Sequence, residues 1–128
     1  MRQKLFIILL FAAALMRPGL ATAVTEEDFK VRTTQQLMNL CTASADDPLA
    51  KEAIHFCHGY LIGAFAYYMA QTSGPDAKRL FCVPDPEPSR NEAIGQFLKW
   101  AKARPQLMNQ WPVETQFMFL IEMWPCKK

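Results

Sequence analysis

The sequence lacks the features that would indicate an enzyme. It has no Gly-rich loop that could bind a phosphate. Its only serines, Ser44, Ser73 and Ser89, lie at predicted turns or helix caps, where a structural role suffices. No two carboxylates lie in a predicted apolar pocket, where one of them could stay protonated as a general acid. The residue pattern therefore argues against catalysis.

The first 23 residues are typical of a cleavable signal peptide. Residues 1–4 are basic, residues 5–15 carry no charge, and the small residues Ala21 and Ala23 precede Val24 at positions −3 and −1. A membrane anchor is the alternative, but this apolar stretch falls well short of the ~20 residues that cross a bilayer. We therefore predict a signal peptide at 1–23 and one exported domain at 24–128.

Loss of the signal peptide would also remove the apparent basic charge. The chain has 14 basic and 12 acidic residues, but Arg2, Lys4 and Arg17 leave with the signal, so the remainder is slightly acidic. Its charges are interspersed, and no basic stripe remains for a phosphate backbone or an anionic lipid surface. Nucleic acid and membranes are therefore excluded as partners after cleavage.

Helix caps and apolar periodicity predict four helices and no strand. The first helix runs from Thr33 or Thr34 to about Ala43, the second from Asp47-Pro48 to Ser73-Gly74-Pro75, the third from Ser89 to Arg104-Pro105, and the fourth from Pro112 to about Met123. The residues between the second and third helices form a loop whose prolines exclude regular helix. The predicted fold class is all-α, a small antiparallel bundle of about four helices stapled by two disulfides.

Four cysteines, all after the signal peptide, indicate two disulfides in an oxidising compartment. Zinc ligation is the alternative, but paired C-x-x-C spacing is missing. If the third and fourth helices form a hairpin, Cys82 before one lies beside Cys126 after the other. Cys41 is then left with Cys57, although Cys57 lies about two turns deeper than a flat hairpin would place it. We predict these two pairs.

The second helix carries no Asp, Glu, Lys or Arg between Ala53 and Pro75. A helix that is apolar all round is central in a bundle or spans a membrane, and its two histidines and two glycines disfavour the membrane. Gly59 and Gly63 share one face, which predicts the close approach of another helix. The predicted core stripe of the fourth helix is Val113, Phe117, Leu120, Ile121 and Trp124.

His55 and His58 are the candidate metal or proton site. They are three apart on a helix, whereas helical metal sites usually space histidines by four and add a carboxylate, which this segment lacks. A catalytic pair of Cys57 and His58 is weaker still, because neighbouring helix residues point in different directions. We predict no catalytic residue, no metal and no cofactor.

Apolar side chains exceed what a domain this small can bury. Besides the core stripes, they include Met118, Phe119 and Met123 on the fourth helix, and Tyr67 and Met69 on the second. A homodimer or partner interface is one interpretation. A generously packed core with some exposed side chains is the other.

Several short motifs together resemble the Rap/Tai family of type VI secretion immunity proteins. They are Cys57-His-Gly59-Tyr60-Leu-Ile-Gly63, Phe81-Cys82-Val83-Pro84 and Pro125-Cys126, with Cys41 upstream. One departure is Arg104 before Pro105, where the family often has histidine, at a position that we expect to be exposed. Members are small exported helical proteins of Gram-negative bacteria, and they neutralise peptidoglycan-cleaving amidase toxins in the periplasm.

The resemblance implies a periplasmic inhibitor whose partner is a secreted peptidoglycan amidase. As a dimer, the chain would plug the groove of the amidase and block substrate entry. The matched residues Gly59, Tyr60, Gly63, Phe81, Pro84 and Pro125 would set backbone geometry. The loop from Gln71 to Ser89 would project, which makes Lys78, Arg79, Asp85 and Glu87 the candidate partner-binding residues. The alternative function is a small periplasmic stress protein or chaperone that binds unfolded clients.

Overall fold

The computed structural model describes residues 22–127, which form an all-α bundle of four helices. These are α1 (Thr34–Cys41), α2 (Ala50–Gln71), α3 (Arg90–Lys102) and α4 (Pro112–Met123), with short 3-10 turns at Glu26–Lys30 and Pro105–Leu107. No strand occurs in this part of the chain. The predicted signal peptide lies outside the described residues, apart from Thr22 and Ala23. Within 22–127, no helix combines the length and hydropathy that membrane crossing demands.

The helices begin where the capping residues predict. At α1, Gln36 N–H donates to Thr33 Oγ1 over 3.3 Å, and Thr33 N–H donates to Gln36 Oε1 over 3.2 Å. Ser89 and Glu92 make the same reciprocal pair at α3. Such capping boxes satisfy backbone N–H groups that have no partner inside the helix. Local sequence is therefore enough to start these two helices.

The start of α1 is fixed by the connection between α3 and α4. Thr34 N–H donates to Gln110 O over 2.8 Å, and Gln35 N–H donates to Met108 O over 2.9 Å. The fully buried hydroxyls of Thr34 and Thr115 are hydrogen-bonded at 2.7 Å. These bonds hold α1 against the beginning of α4.

Buried polar groups also determine which side of α4 faces the core. The core stripe that the sequence predicts for α4 is wrong in two residues. Val113 and Ile121 are 40% and 43% exposed, whereas Gln116 and Phe119 are buried. Gln116 Nε2 donates to the backbone carbonyl of Leu61 in α2 over 2.7 Å. A buried amide needs such a partner, so this bond turns Gln116 towards α2. The spacing of apolar residues alone leaves Gln116 out of the core stripe.

The expectation that α2 is central in the bundle is also wrong. Only one stripe of it is buried, formed by Ala53, Cys57, Leu61 and Tyr68. Gly59 and Gly63 are exposed, and no atom lies within 4 Å of the position that a Cβ would take at either residue. Because α1 and α4 cover one side of α2 only, no other helix of the described chain approaches the glycines.

Both predicted disulfides are present. Cys41 and Cys57 join the end of α1 to α2 with a Cα–Cα distance of 5.1 Å, and Cys82 and Cys126 join the α2–α3 loop to the residues after α4 at 4.8 Å. Cys82 N–H also donates to Trp124 O over 2.8 Å. The second bridge therefore fixes the middle of the loop to the end of the last helix.

Arg104 is half-buried rather than exposed. Its guanidinium lies 4.0 Å from the centre of the Trp100 ring, and its Nη2 lies 2.7 Å from Glu122 Oε1. The planar guanidinium can stack on an aromatic ring and pair with a carboxylate at once. Arg104 thus links the end of α3 to α4.

Candidate functional site

The α2–α3 loop (residues 72–89) is anchored near its middle by an aromatic core, and we call the anchored residues 80–82 the loop base. Phe81 is 1% exposed and stacks on Tyr68 with 4.5 Å between the ring centres. Leu80 N–H donates to the Tyr68 hydroxyl over 2.6 Å. Three further rings surround Phe81, those of Phe65, Phe117 and Trp124. The middle of the loop is therefore part of the core rather than a free linker.

The four candidate partner-binding residues lie on either side of this anchor. We call these four residues together the loop tip. Lys78 and Arg79 precede Phe81, whereas Asp85 and Glu87 follow Cys82, and all four are exposed. The two ion pairs within the described residues, Lys30–Glu27 and Arg104–Glu122, involve none of them. The loop thus presents a basic limb and an acidic limb to solvent, and their charges are available to a partner.

An apolar cleft of about 300 Å³ opens beside the acidic limb. Its walls come from α2, α3 and α4, and include Ile62, Phe65 and Ala93. Glu87 lines the cleft as well, so the acidic limb of the loop runs into it. Sequence reasoning missed the cleft, because residues from three separate helices and from the end of the loop build it, and no single segment carries its pattern.

A second apolar surface covers the outward side of α2. This α2 face comprises the exposed residues Phe56, Gly59, Gly63, Ala66, Tyr67 and Ala70. It contains no charged side chain, and Tyr67 is 69% exposed. By contrast, α3 exposes Glu92, Gln96, Lys99 and Lys102 to solvent. A helix with a bare apolar face on the surface is typical of a protein–protein interface.

The other predicted surplus side chains divide between surface and core. Met118 and Met123 are about half exposed, Met69 is half-buried, and Phe119 is buried in the core. Phe119 contacts the rings of Phe97 and Trp100 edge-on. Part of the predicted surplus of apolar side chains is therefore buried in the core, and the rest lies on the surface.

The two histidines lie on α2, with His55 exposed and His58 half-buried. Nowhere in residues 22–127 do three or more His, Cys, Asp or Glu side chains gather closely enough to hold a metal ion. All four cysteines are in disulfides. Within the described residues, neither histidine therefore belongs to a cluster of metal ligands.

The matched motif residues divide between the core and the surface. Tyr60 is half-buried, and this burial raises the pKa of its hydroxyl above the ordinary value, although a hydrogen bond with the Val113 backbone lowers it in part. Tyr60 thus contacts the beginning of α4. Pro84 and Pro125 are exposed beside the two ends of the Cys82–Cys126 bridge, while Gly59 and Gly63 belong to the α2 face.

Comparison with known protein families matches residues 33–126 to the Rap1a immunity proteins. Comparisons with curated proteins and with solved structures gave no match. The matched range contains all four helices, both disulfides and the entire α2–α3 loop. Immunity proteins bind a toxin and are typically inhibitors rather than enzymes. The chain belongs to the family of Rap1a immunity proteins.

Proposed function

We propose that this chain is exported to the periplasm, where it binds and sterically inhibits a peptidoglycan amidase toxin delivered by type VI secretion. The observation that carries the proposal is the α2–α3 loop, which has a buried base and an exposed charged tip in a chain of the immunity family. The chain itself performs no chemistry in this proposal. Occupation of the amidase groove is enough to keep the peptidoglycan out.

Preorganisation of the loop supports a role in binding. Phe81 and the Cys82–Cys126 bridge hold the loop base before a partner arrives. A loop that is already ordered loses less conformational entropy on binding, so more of the contact energy appears as affinity. The exposed charges of the tip add electrostatic steering and select the partner by its complementary charge.

The cleft extends this binding surface. Stable interfaces usually combine a central apolar pocket that receives an anchor side chain with a polar rim. Here the cleft is apolar, and Glu87 connects it to the loop tip. We infer that the toxin covers both the tip and the mouth of the cleft.

Co-expression tests the proposal directly. Candidate peptidoglycan amidase toxins are sent to the periplasm one at a time, with or without this chain, and lysis is recorded. We expect lysis with the amidase alone, protection with the chain present, and a stable complex of the purified proteins. Failure of the complex to form under any condition would refute the immunity function.

A filled cleft tests the contact surface. Ala93→Phe places a ring at the cleft wall, while Ala103→Phe makes the same change at an exposed position at the end of α3. We expect the first variant to weaken the complex at least tenfold, and the second to bind normally. Equal affinities in two folded variants would place the toxin elsewhere on the surface.

We also propose that the chain forms a homodimer through the α2 face. The open space at Gly59 and Gly63 lets a second helix approach closely, and no charge on the face opposes it. Gly63→Arg should yield a monomer in sedimentation velocity, whereas Gly95→Arg, at an exposed glycine of α3 with equally open surroundings, should leave the dimer intact. A wild-type monomer at high protein concentration would exclude the dimer.

The alternative function is a periplasmic chaperone, which the exposed apolar side chains of α2 and α4 favour. A chaperone would suppress the aggregation of unrelated unfolded proteins, and it would not need a specific toxin. Protection of several unrelated clients, combined with no complex with the amidase, would support the chaperone and not the inhibitor.

A further inference from the structure

Val24, which follows the predicted cleavage site, is built into the fold. Its side chain is 8% exposed and belongs to the core cluster, whereas Thr22 and Ala23 are exposed. The Val24 nitrogen lies 2.8 Å from Asp47 Oδ2. The other oxygen, Asp47 Oδ1, accepts Leu49 N–H over 2.8 Å. One carboxylate thus joins the beginning of the domain to the beginning of α2.

We propose that cleavage before Val24 creates an ion pair between the new α-ammonium of Val24 and Asp47, which fastens the mature N-terminus to the start of α2. The proposal rests on the export part of the proposed function. A signal peptidase would direct water to the Ala23 carbonyl carbon. The C–N bond to Val24 then breaks, Ala23 leaves as a carboxylate, and the Val24 nitrogen takes up protons and becomes an ammonium.

The ion pair needs no rearrangement of the fold. In the uncleaved chain the Val24 amide is a neutral donor to Asp47. After cleavage the same nitrogen, at the same place, carries a positive charge. The carboxylate already makes this hydrogen bond charge-assisted, and cleavage adds the Coulomb attraction between two opposite charges. The two further protons of the ammonium face the side of the exposed Ala23, where water can accept them.

The position of the cut decides whether the pair can form. A chain that keeps Ala23 moves the ammonium about 3.8 Å along the backbone and leaves a neutral amide at Asp47. Cleavage before Val24 would therefore release the domain from the signal peptide and also add an ion pair to its fold. The full stability of the fold would be reached only after cleavage.

The first measurement is the N-terminus of the exported protein. The full chain is expressed with its signal, purified from the periplasm and weighed by mass spectrometry. A mass that begins at Val24 is the expected result. A chain cut at another residue would overturn the ion pair but leave export standing, whereas an uncut chain outside the periplasm would overturn export itself.

The second measurement compares thermal unfolding of chains released from a cleavable fusion, one beginning at Val24 and one at Ala23. We expect the Val24 chain to unfold roughly 4–8 °C higher. In the Asp47→Asn background this difference should vanish, while the asparagine Oδ1 can still accept Leu49 N–H. Asp46→Asn, at the exposed neighbouring carboxylate, is the matched control and should keep the difference. Equal melting temperatures of the Val24 and Ala23 chains would overturn the proposal.

Discussion

Two segments outside the four α-helices are attached to the same bundle by different interactions. The N-terminal segment (residues 24–33) is held by carboxylates, since Asp28 Oδ2 accepts Thr25 N–H over 2.8 Å and Asp28 Oδ1 accepts Asn39 Nδ2 over 2.9 Å. The α2–α3 loop is held by the buried ring of Phe81 and by the Cys82–Cys126 bridge. The first attachment adds hydrogen-bonded carboxylates to the buried side chains of Val24 and Val31, whereas the second combines an aromatic core with a covalent bond.

This difference determines which charged side chains each segment leaves exposed to a partner. Aromatic packing at the loop base uses no charged side chain, so every charge of the loop tip faces solvent. In the N-terminal segment, by contrast, the carboxylate of Asp28 is buried and its hydrogen bonds are used within the fold. We therefore expect substitutions at the loop base and in the N-terminal segment to reduce stability, and those at the tip to reduce binding.

The largest expected effect is at the base of the loop. Phe81→Ala removes a fully buried ring that contacts four other rings, and should lower the free energy of unfolding by about 3–5 kcal/mol. Urea denaturation measures this loss. Leu80→Ala, at the exposed neighbouring residue, is the control and should change stability by less than about 0.5 kcal/mol. Similar losses in the two variants would show that the loop is held in another way.

The next effect is the loss of the bridge. The double variant Cys82→Ala/Cys126→Ala should lower the free energy of unfolding by roughly 2–4 kcal/mol, because the bridge closes a long segment and restricts the unfolded chain. Hydrogen exchange should then speed up at the loop first, where the bridge and Phe81 act together. Unchanged exchange in residues 72–89 would mean that aromatic packing alone orders the loop.

A smaller, pH-dependent effect should appear in the N-terminal segment. Burial raises the pKa of Asp28, but hydrogen bonds from Thr25 and Asn39 outweigh it and bring the pKa below the ordinary value of 3.8. The resulting stabilisation is fully present above that ordinary value, and it is lost as the pH falls through the lowered value of the folded state. Asp28→Asn should cost about 1–2 kcal/mol at neutral pH and show a weaker acid dependence. Identical acid unfolding curves for the two chains would contradict this assignment.

The sequence predicts the ends of the helices better than their faces. Thr33, Ser89 and Pro112 act locally, so the starts of three helices can be inferred from a few neighbouring residues. The Cys82–Cys126 pair follows from the hairpin geometry, and Cys41–Cys57 is the pair that remains. The buried face of α4 does not, because apolar residues lie on both sides of it and Gln116 settles the choice through a bond to the distant Leu61.

In the candidate site, too, the sequence predicts some features and not others. The loop tip is visible in the sequence because prolines, polar side chains and a cysteine mark an exposed connection. The cleft and the exposed side of α2 depend on which helices pack together. In particular, the charge-free stretch after Ala53 indicates burial, but the described chain has only enough helices to cover one side of α2.

The loop tip is where stability and binding should separate most clearly. Lys78→Glu/Arg79→Glu reverses the basic limb, and Asp85→Lys/Glu87→Lys reverses the acidic limb, at four positions that face solvent. We expect each pair to change the free energy of unfolding by no more than about 0.5 kcal/mol per residue. At least one pair should slow association with the amidase roughly tenfold at low salt, and less at high salt, because steering charges act on the encounter.

The matched control is Lys99→Glu/Lys102→Glu on the outer side of α3, which reverses two equally exposed charges away from the loop. Surface plasmon resonance at two salt concentrations separates the association rate from the dissociation rate. If the α3 pair slowed association as much as the loop pairs, the effect would come from overall charge, and the loop would have no special part in recognition. A loss confined to one limb would instead identify the side of the loop that meets the toxin, and the sign of the toxin's charge there.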